Sequence, residues 1–230
     1  MIDPDLVSLI ITLKLAGTTT VILMLLGTPL AWWLARTKNA VSYIVEPIVA
    51  LPIVLPPTVL GFYLLIFLSP NSFIGGAWIS LTGHPLVFTF EGLVIGSIIY
   101  SLPFYVQPLQ LVFENVSQDI LDAAATLGAG PVDRFFNIII PLCRTGFIVA
   151  ATLAFAHTVG EFGIVLMIGG NIPDETRVLS IALYDHVETL QYQKAHYLAA
   201  GLLAFSFLLL LVVYTLNRRW KKQLVDRMSA

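Results

Sequence analysis

Residues 145–168 read Thr145-Gly146-Phe147-Ile148-Val149-Ala150-Ala151-Thr152-Leu153-Ala154-Phe155-Ala156-His157-Thr158-Val159-Gly160-Glu161-Phe162-Gly163-Ile164-Val165-Leu166-Met167-Ile168, an apolar run with one carboxylate, one imidazole and no lysine or arginine. A helix of roughly 20 apolar residues crosses the hydrocarbon core of a bilayer, so the stretch is read as a membrane span. Four runs of the same kind occur at residues 15–34, 48–68, 92–112 and 197–216, and across all five Glu161 is the only Asp, Glu, Lys or Arg. With 57% apolar and 11% charged residues and a mean hydropathy of +0.87, the chain has too little polar surface for water to be its solvent. The expected fold is an all-α membrane protein of about five transmembrane helices in one domain, 1–230. The first run is too long for a signal-peptide core and follows Asp3 and Asp5 in place of basic residues, so it is expected to stay in the mature protein.

Loop charge sets the expected orientation, because cytoplasmic loops retain lysine and arginine. One side holds Arg36, Lys38, Arg134, Arg144, Arg218, Arg219, Lys221, Lys222 and Arg227, against Lys14, Arg177 and Lys194 on the other. This places the amino terminus outside, the carboxyl terminus inside, and the loop 113–144 in the cytoplasm. Trp32, Trp33 and Trp220 fall near expected interfaces, where an amphipathic ring anchors a helix. The net charge of −2 gives no argument for nucleic acid, and Cys143, the single cysteine, receives no role.

The loops 69–91, 113–144 and 169–196 are long enough to hold structure. No internal repeat is visible, so a two-fold pathway requires a second copy of the chain. Proline is concentrated in the second and third spans, and Pro52, Pro56 and Pro57 fall within six residues. Each proline removes a backbone donor and distorts a helix around it, so a kink or short break is expected there, lining something polar. Pro56, Pro57 and Thr58 become pathway candidates.

Within the cytoplasmic loop, residues 117–128 carry a helix-start signature in Ser117 and Asp119, helix-favouring alanines at 123–125 and a terminal Gly128. A serine or aspartate caps the orphan amides, acidic residues in the first turn suit the dipole, and glycine ends a helix in the left-handed conformation. Ile120, Leu121, Ala124 and Leu127 are expected on one broad face suited to another protein; the segment lacks the basic flank of a membrane-surface helix.

This loop resembles the signature of binding-protein-dependent ABC importer permeases, Glu-Ala-Ala, three residues, Gly, nine residues, then Ile-x-Leu-Pro. Asp122-Ala123-Ala124 occupies the triplet, Gly128 follows at the right spacing, and Ile138, Ile139, Ile140 and Pro141 close it, with Asp122 for Glu and Ile140 for Leu as departures. The resemblance implies a type I ABC importer permease fold and a coupling helix that docks on a cytoplasmic ATPase through Asp122, Ala123, Ala124, Leu127, Gly128, Ile138 and Pro141. Similarity to molybdate permeases extends over nearly the whole chain, including residues 27–36, 51–62 and 125–130; residues 160–163 and 171–177 are also similar to sulfate and tungstate permeases. The compact five-span length favours the molybdate branch. Implied partners are a second copy of the chain, two ATP-binding subunits, a periplasmic oxyanion-binding protein and membrane lipid, in a bacterial inner membrane, with no cofactor.

Other classes make demands the sequence does not meet. No Gly-Lys dipeptide exists for a phosphate-binding loop, so ATP hydrolysis must come from a partner and the chain is not itself an enzyme. A paired nucleophile and base, or His-Glu-x-x-His, is also missing. A secondary transporter is the remaining alternative. His157 and Glu161, four residues apart, are expected on one helix face. An ionised Glu161 would repel a passing anion by about 4 kcal/mol at 4 Å and intermediate dielectric. Its expected role is therefore a helix-packing hydrogen bond, with His157 as one available partner; a gate contribution and a metal site are the alternatives. Gly160 and Gly163 allow close helix approach. Arg177, Asp174 and Glu175 are read as solvated loop charges or a docking site for the binding protein.

Overall fold

The computed structural model describes residues 3–228, with side chains as far as residue 215. Asp3 caps the first helix by accepting from the Asp5 amide, and Pro4 takes the first turn, where its missing N–H costs nothing. Helix α1 then runs Pro4–Arg36. At 1.5 Å per residue its 33 residues span about 50 Å, longer than the hydrocarbon core of a bilayer. Lys14, expected outside the first span, lies within this helix with its Nζ 4.3 Å from the centre of the Phe90 ring.

After a capping box formed by Asn39 and Ser42, α2 covers Ala40–Val54 and α3 covers Pro57–Leu68. The two are bent by 114°. Both residues at the break precede a proline, which pushes them out of the helical region: Leu55 has ψ 137° and Pro56 ψ 133°. The span read at residues 48–68 is therefore two helices, and the break falls within the proline cluster. Pro47 and Pro52 stay inside α2.

Helix α4, Phe73–Thr82, occupies the first long loop, and α5, Phe90–Glu114, follows a Thr89 cap and carries Pro103 and Pro108 without stopping. The second long loop holds α6, Gln118–Thr126, and the single turn α7, Pro131–Arg134. A π-helical turn, Phe135–Ile139, feeds directly into α8, Ile140–Gly160. The span read at 145–168 is also not continuous. It stops at Gly160, passes through extended Glu161, and resumes as α9, Gly163–Gly169. Helix α10, Leu179–Glu188, fills the third long loop, and α11 spans Tyr192–Met228. Trp220 and the basic residues at 218–227 lie outside the described side chains.

No strand occurs among the described residues. Four helical stretches, Pro4–Arg36, Phe90–Glu114, Pro131–Gly160 and Tyr192–Thr215, are long and apolar enough to cross a bilayer, and the bent α2–α3 pair makes a fifth. Helices α1, α5 and α8 form the centre, around fully buried Leu23, Tyr105, Leu109 and Phe113. The Tyr105 hydroxyl and Thr28 Oγ1 lie 2.9 Å apart there, satisfying a polar pair inside apolar packing. The outside is apolar as well: Val54, Tyr63, Phe67, Leu203 and Phe207 are all more than half exposed. Such a surface belongs against lipid or another chain.

Candidate functional site

Two regions carry the sequence-derived candidates: the α6 loop and the pair of helix breaks. In the first, Ser117 Oγ accepts from the Asp119 amide. At the other end Gly128 has φ +89°, its amide donates to the Ala125 carbonyl, and the Ala129 amide reaches back to Ala124 at 3.0 Å. These two bonds are a Schellman closure, which satisfies carbonyls left open by the last turn. Asp122 is exposed and accepts from Gln118 Nε2 at 2.9 Å. Ala123 is exposed, Ala124 half-buried, and Leu127 is 90% exposed. Ile138 is half-buried within the π-helical turn, and Pro141 stands exposed in the first turn of α8.

The expected single apolar face of α6 is split. Leu121 turns inward and is buried, whereas Ile120 and Leu127 point away from the bundle. One apolar residue thus anchors the helix to its own chain, and the remainder forms an exposed apolar surface interleaved with small alanines.

In the second region, the two breaks are adjacent. A Cβ placed on Gly163 would lie 2.8 Å from Pro57 Cβ, and one on Gly61 would lie 2.9 Å from Met167 Cβ and 3.3 Å from Ile164 Cα. Helices α3 and α9 therefore start side by side and pack at backbone distance, with glycine on both sides of the contact. Gly160, by contrast, has nothing within 4 Å of a Cβ, so only Gly163 makes the close approach expected of both. Pro56 and Thr58 are exposed and Pro57 is half-buried.

His157 and Glu161 do not pair. Glu161 closes α8 in an extended conformation, which rotates its side chain off the helical face that i, i+4 spacing requires. It is 3% exposed, its Oε2 accepts from Ser97 Oγ at 2.8 Å, and its Oε1 has no partner. Its carbonyl accepts from Ser180 Oγ on α10. His157 stacks on Phe104, centroids 3.8 Å apart, and its Nδ1 lies 2.9 Å from Ser101 Oγ, which also meets Thr158 Oγ1. No cluster of three or more His, Cys, Asp or Glu occurs among the described residues.

Ser97, Ser101 and Ser180 are the partners that sequence reasoning missed. Ser97 and Ser101 are four apart in one span, a polar stripe on one face that i, i+4 periodicity makes detectable. Ser180 offered no such signal. Arg177 is not a freely solvated loop charge either: its Nη2 pairs with Asp185 at 3.1 Å, beside the Asn171 amide on the same carboxylate. His186 Nε2 lies 2.9 Å from Asp5, which ties α10 to the start of α1. Asp174 and Glu175 are exposed.

Residues 27–225 match the family model described as "Binding-protein-dependent transport system inner membrane component". The chain is 54% identical to the molybdenum transport system permease protein ModB of Azotobacter vinelandii, covering 95% of this chain and 96% of that protein. It is 34% identical to ModB of Escherichia coli (strain K12) over 81% of this chain and 82% of that one. Identity to the sulfate transport system permease protein CysT of the same organism is 30%, over 94% of this chain and 77% of that protein. The fold is similar to that in a crystal structure of a bacterial alginate ABC transporter in complex with an alginate pentasaccharide-bound periplasmic protein. The TM-score is 0.76 and the identity 16%, over 94% of this chain and 79% of that one. The all-helical bundle with its paired breaks is thus an ABC importer permease fold, and the chain belongs to the family of binding-protein-dependent transport system inner membrane components.

Proposed function

We propose that this chain is the pathway-forming permease of an ATP-driven molybdate importer, working as a homodimer in a bacterial inner membrane with its amino terminus outside. The observation that carries the substrate is 54% identity to a molybdenum permease over nearly the full length of both chains, against 30% to a sulfate permease. Two cytoplasmic ATP-binding subunits supply hydrolysis, and a periplasmic oxyanion-binding protein delivers the anion.

The coupling surface is α6 with its exposed alanines, Asp122, Leu127 and Gly128, backed by Ile138 and Pro141. Force applied there passes through the turn at residues 127–130 into α7, from which the π-helical turn and α8 follow without an intervening loop. α8 ends at Gly160, and Gly163 just beyond it packs on Pro57 at the break between α2 and α3, so movement of α8 changes the spacing of α3 and α9. In the dimer, Pro56, Pro57 and Thr58 from each copy line the pathway, and exposed Thr58 supplies a hydroxyl to it. Glu161 stays out of the anion's path: its carboxyl is buried against Ser97, and a carboxylate facing the anion would oppose it by about 4 kcal/mol at 4 Å and intermediate dielectric. His157 acts with Phe104 and Ser101 as packing beside the break.

The test is transport by the purified permease and ATPase in vesicles, with the binding protein outside. ATP-dependent accumulation of labelled molybdate, resisted by unlabelled molybdate far better than by sulfate, is expected. Equal uptake of sulfate would move the chain to the sulfate branch, and accumulation driven by an ion gradient without ATP would establish a secondary transporter.

A further inference from the structure

Beside α6, where α1 ends, a solvent-open cavity of about 340 Å³ is lined by Arg36 and Arg134 together with Trp32, Gln118, Leu121 and Phe135. Neither arginine forms an ion pair with a carboxylate among the described residues, and the Nε of each is buried without an acceptor. Their other donors are partly committed to backbone. Arg36 Nη2 donates to the Val116 carbonyl at 2.9 Å and its Nη1 to Gln118 Oε1 at 3.5 Å, and Arg134 Nη1 donates to the Leu121 carbonyl at 3.3 Å. Trp32 lies against the Arg36 guanidinium, 4.8 Å from ring centre to Cζ. No carboxylate lines this cavity; Glu46 and Glu114 line an adjoining cavity that Arg36 also borders, and the nearby Asp122 is engaged by Gln118 Nε2.

Arginine side chains are cations in proteins, and like charges around one cavity repel each other. Each is held in place by a backbone carbonyl, so neither is free to swing away. A buried N–H without an acceptor is also unfavourable. An anion between the two side chains offsets the repulsion and gives their N–H groups an acceptor, and the planar fork of arginine matches a tetrahedral oxyanion in paired hydrogen bonds. We propose that this cavity is a binding site for a tetrahedral oxyanion of the phosphate class. Two sources offer that chemistry. One is the headgroup of an anionic phospholipid, since basic pockets at helix ends near the membrane surface take such groups; the other is a free oxyanion in the aqueous phase.

Binding there has a mechanical consequence. Val116 precedes α6 and Leu121 lies within it, so an anion that locks Arg36 to Arg134 fastens α6 to the end of α1 and to α7. The site therefore sets how stiffly α6 is held, whichever anion the protein transports.

The test uses the full-length chain purified with its ATPase partner. One arm titrates sodium phosphate and sodium molybdate against a chloride control of equal ionic strength. The other compares nanodiscs of phosphatidylcholine with nanodiscs containing phosphatidylglycerol. Saturable binding is expected in at least one arm, weakened about fivefold or more by Arg36→Lys and by Arg134→Lys, which keep the charge and lose the fork. Saturation by salts identifies a free oxyanion, and a response to phosphatidylglycerol alone identifies the headgroup. Amide hydrogen exchange across residues 115–128 of the unmodified protein is expected to slow on saturation, a readout that needs no variant. Absence of saturation in both arms, equal affinity in the lysine variants, or saturation that leaves exchange of this segment unchanged would each overturn the site.

Discussion

Ser97 on α5 donates to Glu161 Oε2 at 2.8 Å, joining an unbroken helix to the residue at which the neighbouring span stops being helical. Ser97 is itself fully buried, so neither group has water as an alternative partner. This bond, with the one from Ser180 to the Glu161 carbonyl, holds the break between α8 and α9 from two sides.

Glu161→Gln is expected to be largely tolerated and Glu161→Leu to be damaging. Glutamine keeps an acceptor for Ser97 and a similar volume, whereas leucine strands the serine hydroxyl, at a cost on the order of 1–3 kcal/mol. Import of labelled molybdate by both variants at matched membrane expression is the measurement. Loss of import in an assembled Glu161→Gln complex would show that the negative charge is required, making the residue an electrostatic part of the gate.

Gly163→Ala is expected to impair assembly or transport, while Gly160→Ala is not. The added methyl at 163 would meet the rigid Pro57 ring at 2.8 Å, whereas at 160 it meets nothing within 4 Å. Overpacking of this kind costs about 1–3 kcal/mol. Thermal unfolding of the two variants in detergent separates them; equal midpoints would mean that the α3–α9 contact yields without penalty.

Gly128→Val is expected to uncouple the importer. A valine at φ +89° is strained by roughly 1–2 kcal/mol or more, although its side chain has open space, so the defect is one of backbone shape and not of crowding. Poor assembly with the ATPase, or hydrolysis without import, should result, and Gly128→Asn should retain more function because asparagine enters the left-handed region more readily. Normal transport by Gly128→Val would remove α6 from the coupling role.

A cysteine at Thr58 is expected to change its reactivity toward an aqueous thiol reagent between nucleotide-free and ATP-trapped states of the complex. Cys143 is 1% exposed, so its replacement by alanine serves as a control more than a necessity. Equal inaccessibility in both states would assign Thr58 to helix packing between copies.

What consecutive residues decide was legible without the structure. Hydropathy runs fell on the long apolar helices, two successive residues before proline broke the second one, and Ser117 and Gly128 bounded α6 by capping and by a left-handed turn. Each rests on sterics or solvation acting over a few neighbouring positions. The break at Glu161 was not legible, because no proline enforces it. It is held by Ser180, 19 positions away, and by Ser97, 64 positions away. The same limit explains why His157, which helical spacing offers as one partner for Glu161, meets Phe104 and Ser101 instead. The α6 face was misread likewise: helical spacing grouped Leu121 with Ile120 and Leu127, but packing against its own bundle took Leu121 inward and left the other two outside. Sequence alone therefore determined which segments are apolar enough to cross a membrane and where local chemistry stops a helix. Only tertiary contact decided which polar groups meet, since burial without water forces each of them toward a partner that the chain supplies from elsewhere.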